Sequence, residues 1–212
     1  MPALSVIIAD DHQLIRAGLS TLLETQTDLK VTAQCRTGRE TLAALGSQPC
    51  HVLLLDLSLP DMSGLDVLKT ARTRFPSVAV LVVSGFPERQ FGINVLRAGA
   101  NGFVSKGADE AELLRAVRTV ARGGRYVGPE LAELLVNGMD ADADQPTHSI
   151  LSEREFQIFC KLAEGRSVTE IANKLCLSVK TISTYRSRLL DKMAMKTNAD
   201  ITSYAIRNNL IQ

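Results

Sequence analysis

Val52-Leu53-Leu54-Leu55-Asp56-Leu57-Ser58-Leu59-Pro60-Asp61-Met62-Ser63-Gly64 runs four apolar residues into a carboxylate and then into a turn that carries Pro and Gly. The apolar run reads as a short strand covered on both faces, and Asp56 closes it. A charge at the end of a core strand costs stability unless it has a task or a partner. An Asp that only caps the following turn would explain Asp56 taken alone. The rest of the chain decides between the two readings.

On either side, short apolar runs at 4–9, 29–35, 78–83 and 102–104 alternate with segments of helical period at 13–23, 38–45, 65–74, 87–98 and 109–122. In the first of these segments Leu14, Ile15, Leu19, Leu22 and Leu23 recur at three- and four-residue steps and make one apolar stripe. The run from Val78 to Val83 is apolar at every position, which suits a parallel sheet with both faces buried. Five strand–helix repeats predict an α/β domain with a doubly wound, five-stranded parallel sheet. Ligands of such sheets bind beyond the carboxyl ends of the strands. Asp10-Asp11, Asp56, Ser84 and Lys106 all follow strands at that edge. Three converging carboxylates repel and raise one another's pKa. A divalent cation relieves this, and an all-oxygen set suits Mg²⁺. Lys106 and the Ser84 hydroxyl then cradle an anion, and Asp56 becomes a carboxylate nucleophile aimed at a phosphoryl donor. His12, beside the acidic pair, is expected to be an ordinary surface residue.

The matched stretches are Asp10-Asp11-His12, Asp56 through Gly64, Ser84-Gly85 and Gly99-Ala100-Asn101-Gly102-Phe103-Val104-Ser105-Lys106. Together they resemble the flavodoxin-like receiver domain of two-component response regulators, over residues 1–122. The resemblance implies that Asp56 accepts a phosphoryl group from a sensor histidine kinase or phosphotransfer protein. It implies Mg²⁺ held by Asp10, Asp11, Asp56 and the Ser58 carbonyl, with Lys106 on a phosphoryl oxygen. Ser84 and Phe103 would form the hydroxyl–aromatic switch, with Phe103 turning inward on phosphorylation. Ser84 stands where Thr is commoner. Gly107 replaces a frequent Pro, so the Lys106 loop is expected to be looser.

Residues 123–149 read as a linker. One short helix is expected near Pro129, and an acidic, aperiodic tether from Asn137 to Pro146. Residues 150–212 read as four helices. Ser152 with Glu155 forms a capping box, and Ser167, Ser178 and Thr197 or Asn198 begin the later helices. About three residues join the second and third of these, which is a helix-turn-helix. The third places Val179, Ile182, Leu189, Leu190 and Met193 inward. Lys180, Thr181, Ser183, Thr184, Ser187, Arg188 and Lys192 face out, a set suited to the major groove of double-stranded DNA. Arg186 falls near the apolar face. Residues 151–212 hold ten Lys/Arg against six Asp/Glu, in a chain whose overall charge is +1. That basic excess points weakly to a polyanion partner.

Leu151-Ser152-Glu153-Arg154-Glu155, Glu170-Ile171-Ala172 and Leu177 through Tyr185 are similar to the LuxR-type helix-turn-helix. Joined to a receiver, that module implies the NarL/FixJ response regulators: phosphorylation-controlled promoter-binding proteins, expected to act as homodimers on DNA. Catalysis beyond self-catalysed phosphotransfer and dephosphorylation is not expected. A phosphatase with an aspartyl nucleophile would not need a tethered helix-turn-helix, and an inactive receiver would not need the acidic set with Lys106. No apolar run approaches the about 20 residues of a membrane span. No basic leader precedes residue 4, so a cytoplasmic protein is expected. Cys35, Cys50, Cys160 and Cys176 form no Cys-x-x-Cys pair and are expected to be buried, reduced thiols.

Overall fold

The computed structural model describes residues 3–136, 147–208 and 210–211. The expected tether, 137–146, lies outside the described residues. The chain divides into two units, Met1–Asp140 and Ala141–Gln212.

In the first unit five strands, β1 (Leu4–Ala9), β2 (Leu29–Cys35), β3 (Val52–Leu55), β4 (Ala79–Ser84) and β5 (Gly102–Ser105), form a sheet in the order β2-β1-β3-β4-β5. Every neighbouring pair is parallel. Between the strands run α1 (Gln13–Glu24), α2 (Gly38–Ser47), α3 (Gly64–Arg74) and α4 (Glu88–Arg97), and α5 (Glu110–Ala121) follows β5. Side chains alternate across the pleat. Val6, Ile8, Val52, Leu54, Leu81, Val83 and Val104 pack with Leu23 of α1 and Leu113, Ala116, Val117 and Val120 of α5. Ile7, Leu53, Leu55, Val80, Val82 and Phe103 turn to the other face and are equally buried. Burial on both faces is why β3 and β4 read as unbroken apolar runs. The strand order changes direction between β1 and β3, so the crevice opens where Asp10, Asp11 and Asp56 leave the sheet.

The start of the expected linker is folded onto this unit. The Tyr126 backbone N–H donates to the Asn101 carbonyl at 2.8 Å, and Tyr126 bridges Gly102 in parallel sense. Then α6 (Pro129–Val136) lies against α4. Leu131 is fully buried there, and a Cβ on Gly92 would stand 2.7 Å from its methyl group.

The second unit holds a 3-10 turn, Thr147–Ile150, and then α7 (Glu153–Ala163), α8 (Val168–Lys174), α9 (Val179–Lys192) and α10 (Asn198–Arg207). Ser152 with Glu155, Ser167 with Glu170 and Thr197 with Asp200 form capping boxes, and the Ser178 hydroxyl accepts from the Thr181 N–H. The core gathers Phe156, Phe159, Leu162, Ile171, Ile182, Leu189, Ile201 and Ala205. Val179, expected inward, is 48% exposed. It is the first residue of α9, one turn short of the neighbouring helices that cover Ile182. The cysteines are free, and only Cys35 is fully buried. Cys176 is exposed at the α8–α9 turn, where its φ of 51° gives the left-handed residue that ends α8.

Candidate functional site

The acidic set assembles at the crevice. Asp10 follows β1 and Asp56 follows β3, and they are 2% and 1% exposed. Their carboxylates meet one ammonium: Lys106 Nζ lies 2.7 Å from Asp10 Oδ2 and 2.8 Å from Asp56 Oδ2. Asp10 Oδ1 accepts the His12 N–H at 2.8 Å, and the Arg16 guanidinium donates to the Asp10 carbonyl at 2.6 Å. Asp10, Asp11, His12 and Asp56 each bring a ligand atom within 4.8 Å of the others.

Burial and charge pull these groups apart. Burial pushes the Asp56 carboxyl up, Lys106 pulls it down and Asp10 pushes it up again, so it lies above the usual range. The Ser58 backbone N–H is a weaker opposing pull on the same carboxylate. Burial also pushes Asp10 up, but His12 and Lys106 outweigh it and hold Asp10 below its ordinary value. Burial draws Lys106 down, and its two carboxylate partners more than restore it. Hydrogen bonds to Asp10 and Asp11 raise His12 to about 9.

Among the described residues, Asp56 Oδ1 is buried and makes no hydrogen bond of normal geometry. An orphaned carboxylate oxygen beside two further carboxylates fits a hard divalent cation, which takes oxygen ligands. The residues present therefore fit Mg²⁺, with Asp10, Asp11 and Asp56 as the carboxylates and the half-buried Ser58 on the loop after β3.

Lys106 and Ser84 meet at the same edge of the sheet. Lys106 N–H donates to the Ser84 carbonyl at 2.9 Å, which ties the Lys106 loop to the end of β4. The Ser105 hydroxyl accepts from Gly107 N–H at 3.2 Å, and the Ser105 carbonyl from Ala108 N–H at 3.0 Å. The loop expected to be loose is thus closed by Ser105. Ser84 is fully buried, and its Oγ accepts from Phe86 N–H at 3.1 Å. Phe103 is fully buried.

His12, expected to be a bystander, is half exposed and lays its ring on Asp11 Oδ1 at 2.7 Å. Arg16 is buried. The signal for both was their place, two and six residues after Asp10, at the N-cap and in the first turn of α1. A helical wheel shows the apolar stripe and not which polar residues fold back over the strand end.

On α9 the expected outward face is outward. Lys180, Ser183, Thr184, Ser187 and Arg188 are exposed, and Thr181 is half-buried. Two members have internal partners. The Thr181 hydroxyl lies 2.7 Å from the Ser178 hydroxyl and belongs to the helix cap. Lys192 Nζ donates to Glu155 Oε2 at 2.7 Å, an oxygen that also accepts the Ser152 N–H and hydroxyl. The Thr184 hydroxyl donates to the Lys180 carbonyl at 3.0 Å. Arg186 is tied to α10, its Nε donating to Asn198 Oδ1 at 2.7 Å.

Two family models match the chain. Residues 6–118 match the response regulator receiver domain, and residues 149–205 match the bacterial regulatory proteins of the luxR family. The response regulator GacA of Pseudomonas protegens is 34% identical over 207 residues, 97% of each chain. The oxygen regulatory protein NreC of Staphylococcus aureus is 34% identical over 216 residues, 99% of this chain and all of that one. Among solved structures, RcsB of Salmonella typhimurium aligns with a TM-score of 0.69 and 28% identity, covering 96% of this chain and 97% of that one. RcsB bound to the rprA promoter in the presence of the phosphomimetic BeF₃⁻ aligns with a TM-score of 0.65 and 28% identity, covering 95% and 98%. With a receiver and a LuxR-type helix-turn-helix matched in one chain, and relatives aligned end to end, the chain belongs to the NarL/FixJ family of DNA-binding response regulators.

Proposed function

We propose that Asp56 takes a phosphoryl group from the phosphohistidine of a sensor kinase or phosphotransfer protein and that this controls promoter binding by the C-terminal helices. The observation that carries the reading is the Asp56 carboxylate: 1% exposed, one oxygen on Lys106 and the other, among the described residues, making no hydrogen bond of normal geometry. A carboxylate oxygen attacks phosphorus, an O–P bond forms, the P–N bond breaks, and its electron pair stays with the imidazole. Bound by Asp10, Asp11, Asp56 and the Ser58 carbonyl, Mg²⁺ supplies the positive charge that offsets the carboxylates and the phosphoryl oxygens. Lys106 holds a phosphoryl oxygen, and the Ser84 hydroxyl donates to another. Because Ser84 Oγ only accepts from Phe86 N–H, its own proton remains available.

On the DNA side, Lys180 and Arg188 contact phosphates, and Ser183, Thr184 and Ser187 read base edges. Thr181 and Lys192 lie on the same face and also serve within the domain, as cap and brace. RcsB dimers are described on DNA, and the same pairing of two copies on half-sites suits this chain. Residues 1–122 form the phosphoacceptor domain, 123–149 the connection and 150–212 the DNA-binding domain. The working place is the cytoplasm, where kinase and promoter meet.

Incubation with a small phosphodonor and Mg²⁺, read by intact mass, tests the reading. Wild type gains one phosphate. Asp56→Asn is near-isosteric but not nucleophilic, so it gains none while keeping its circular dichroism. Equal labelling of the two proteins sinks the assignment.

A further inference from the structure

Between Asp56 and Gly64 the chain leaves the sheet and carries Ser58. Its ends are closed by Gly64 N–H, which donates to the Leu57 carbonyl at 3.0 Å. A Cβ on Gly64 would run into the Asp56 carbonyl oxygen. The middle of the loop is fastened elsewhere. Asp61 Oδ1 accepts the Gly38 N–H at 2.7 Å, and Asp61 Oδ2 accepts the Arg39 N–H at 3.0 Å. These are the first two N–H groups of α2, which have no partner within the helix. The next N–H, that of Glu40, is taken by the Thr37 hydroxyl at 3.1 Å. Two independent caps therefore share one helix end. One is local, and the other comes from a loop more than twenty residues away.

The carboxylate is 14% exposed and meets the positive end of α2, so both hydrogen bonds are charge-assisted. An apolar contact doubles the fastening. A Cβ on Gly38 would stand 2.6 Å from the Met62 sulfur and 2.8 Å from a Val67 methyl. The glycine thus leaves room for Met62 to lie on the start of α2. Since α2 packs on β1 and β2, the loop is anchored at Asp56 by the sheet and at Asp61 by a helix resting on the same sheet. Ser58 lies between these anchors, two residues from one and three from the other.

We propose that Asp61, with Met62 beside it, is a positioning residue for the phosphoacceptor pocket: it clamps the loop onto α2 and so fixes the Ser58 backbone toward the cation. The inference rests on the Mg²⁺ reading of the pocket given above. Asp61 acts through the loop and touches none of the reacting groups.

The test is calorimetric titration of Mg²⁺ into the full chain without phosphodonor, with thermal melts alongside. Asp61→Ala raises the Mg²⁺ dissociation constant roughly tenfold, the usual scale for a support behind a ligand. Phosphorylation at saturating Mg²⁺ stays near wild type, so the defect lies in binding. Thr37→Ala removes the other cap of α2 without touching the loop. It lowers the melting temperature and leaves the Mg²⁺ constant unchanged. Asp61→Asn loses the charge but keeps an acceptor and lies nearer wild type than Asp61→Ala. Met62→Ala, which alters no charge, weakens Mg²⁺ in the same direction and carries the comparison should Asp61→Ala not fold. The proposal is overturned if the Asp61 or Met62 variants bind Mg²⁺ as wild type does. It is equally overturned if Thr37→Ala weakens binding as much as Asp61→Ala, or if Asp61→Asn is as weak as Asp61→Ala. A wild type that binds no Mg²⁺ overturns the pocket reading and this inference with it.

Discussion

Asp56 and Ser84 sit at the ends of adjacent strands, and each keeps one function in reserve. Asp56 has an oxygen without a hydrogen bond, and Ser84 has a hydroxyl that accepts from Phe86 without spending its proton. Ser84→Ala removes that proton and the acceptor that Ser84 offers to the part-buried Phe86 N–H, at a stability cost of about 1 kcal/mol. The acceptor carboxylate is untouched, so the variant should label with phosphodonor as wild type does. It should lose most of the phosphate-dependent gain in DNA affinity, measured as the ratio of duplex dissociation constants with and without phosphodonor. A full gain would remove Ser84 from the switch. The residues of this site were legible where the backbone alone aims them. A parallel strand that ends in Asp must present it at the carboxyl edge, whatever the side chains do. His12, Arg16 and Asp61 were not legible in this way. Their roles depend on a side chain turning back to Asp10 or Asp11, or on a loop meeting a helix more than twenty residues away, and no periodicity encodes such contacts.

The same division runs through α9. Its inward row, Ile182, Leu189, Leu190 and Met193, follows from 3.6-residue spacing and is buried as expected. Lys192 shares the outward face on a wheel, yet the side chain reaches across to Glu155 of α7. A wheel shows direction from one axis and is blind to a neighbour whose capping carboxylate lies within reach. Burial pushes the Glu155 carboxyl up, but Lys192 and Ser152 hold it below its ordinary 4.5. A lowered carboxylate contributes stability above its unfolded pKa and loses it as pH falls through the folded value. The brace therefore weakens below about pH 4.5. Lys192→Ala should cost about 1 kcal/mol, since the lysine is partly exposed. It should flatten that acid limb in a urea-melt series and leave the salt slope of DNA binding unchanged. Lys180→Ala or Arg188→Ala should reduce that slope by about one unit on cognate and scrambled duplexes alike. Thr184 or Ser187 variants should lose on the order of 1–3 kcal/mol at a cognate site and little on scrambled DNA. If Lys192→Ala shifts the slope as Lys180→Ala does, the brace is not its main task.

At the scale of the whole chain, the connection out of the first unit is part of its structure. The sequence announced a short helix near Pro129 but not its berth. The berth is made by an absence, the missing side chain of Gly92, and by an edge hydrogen bond from Tyr126 to Asn101. A glycine inside a helix and a tyrosine after Gly123-Gly124 carry no pattern that links them. Their consequence is that Tyr126 is fastened to β5 and α6 to α4. Leu131 is the peg, fully buried against Gly92. Leu131→Ala should remove about 2–3 kcal/mol of docking and free this segment without unfolding the sheet, because β1 and β3 lie on the far side of β4. Amide exchange is the measurement. The Tyr126 N–H, protected through Asn101, should exchange faster by one to two orders of magnitude, about what that loss allows, while amides of β1 and β3 keep their rates. Gly92→Ala should act in the same direction but less, since the clashing atom is the end of a side chain that can turn aside. If Tyr126 keeps its protection in Leu131→Ala, the edge bond holds by itself and α6 is a passenger. If β1 loosens as well, the segment is a full member of the domain core.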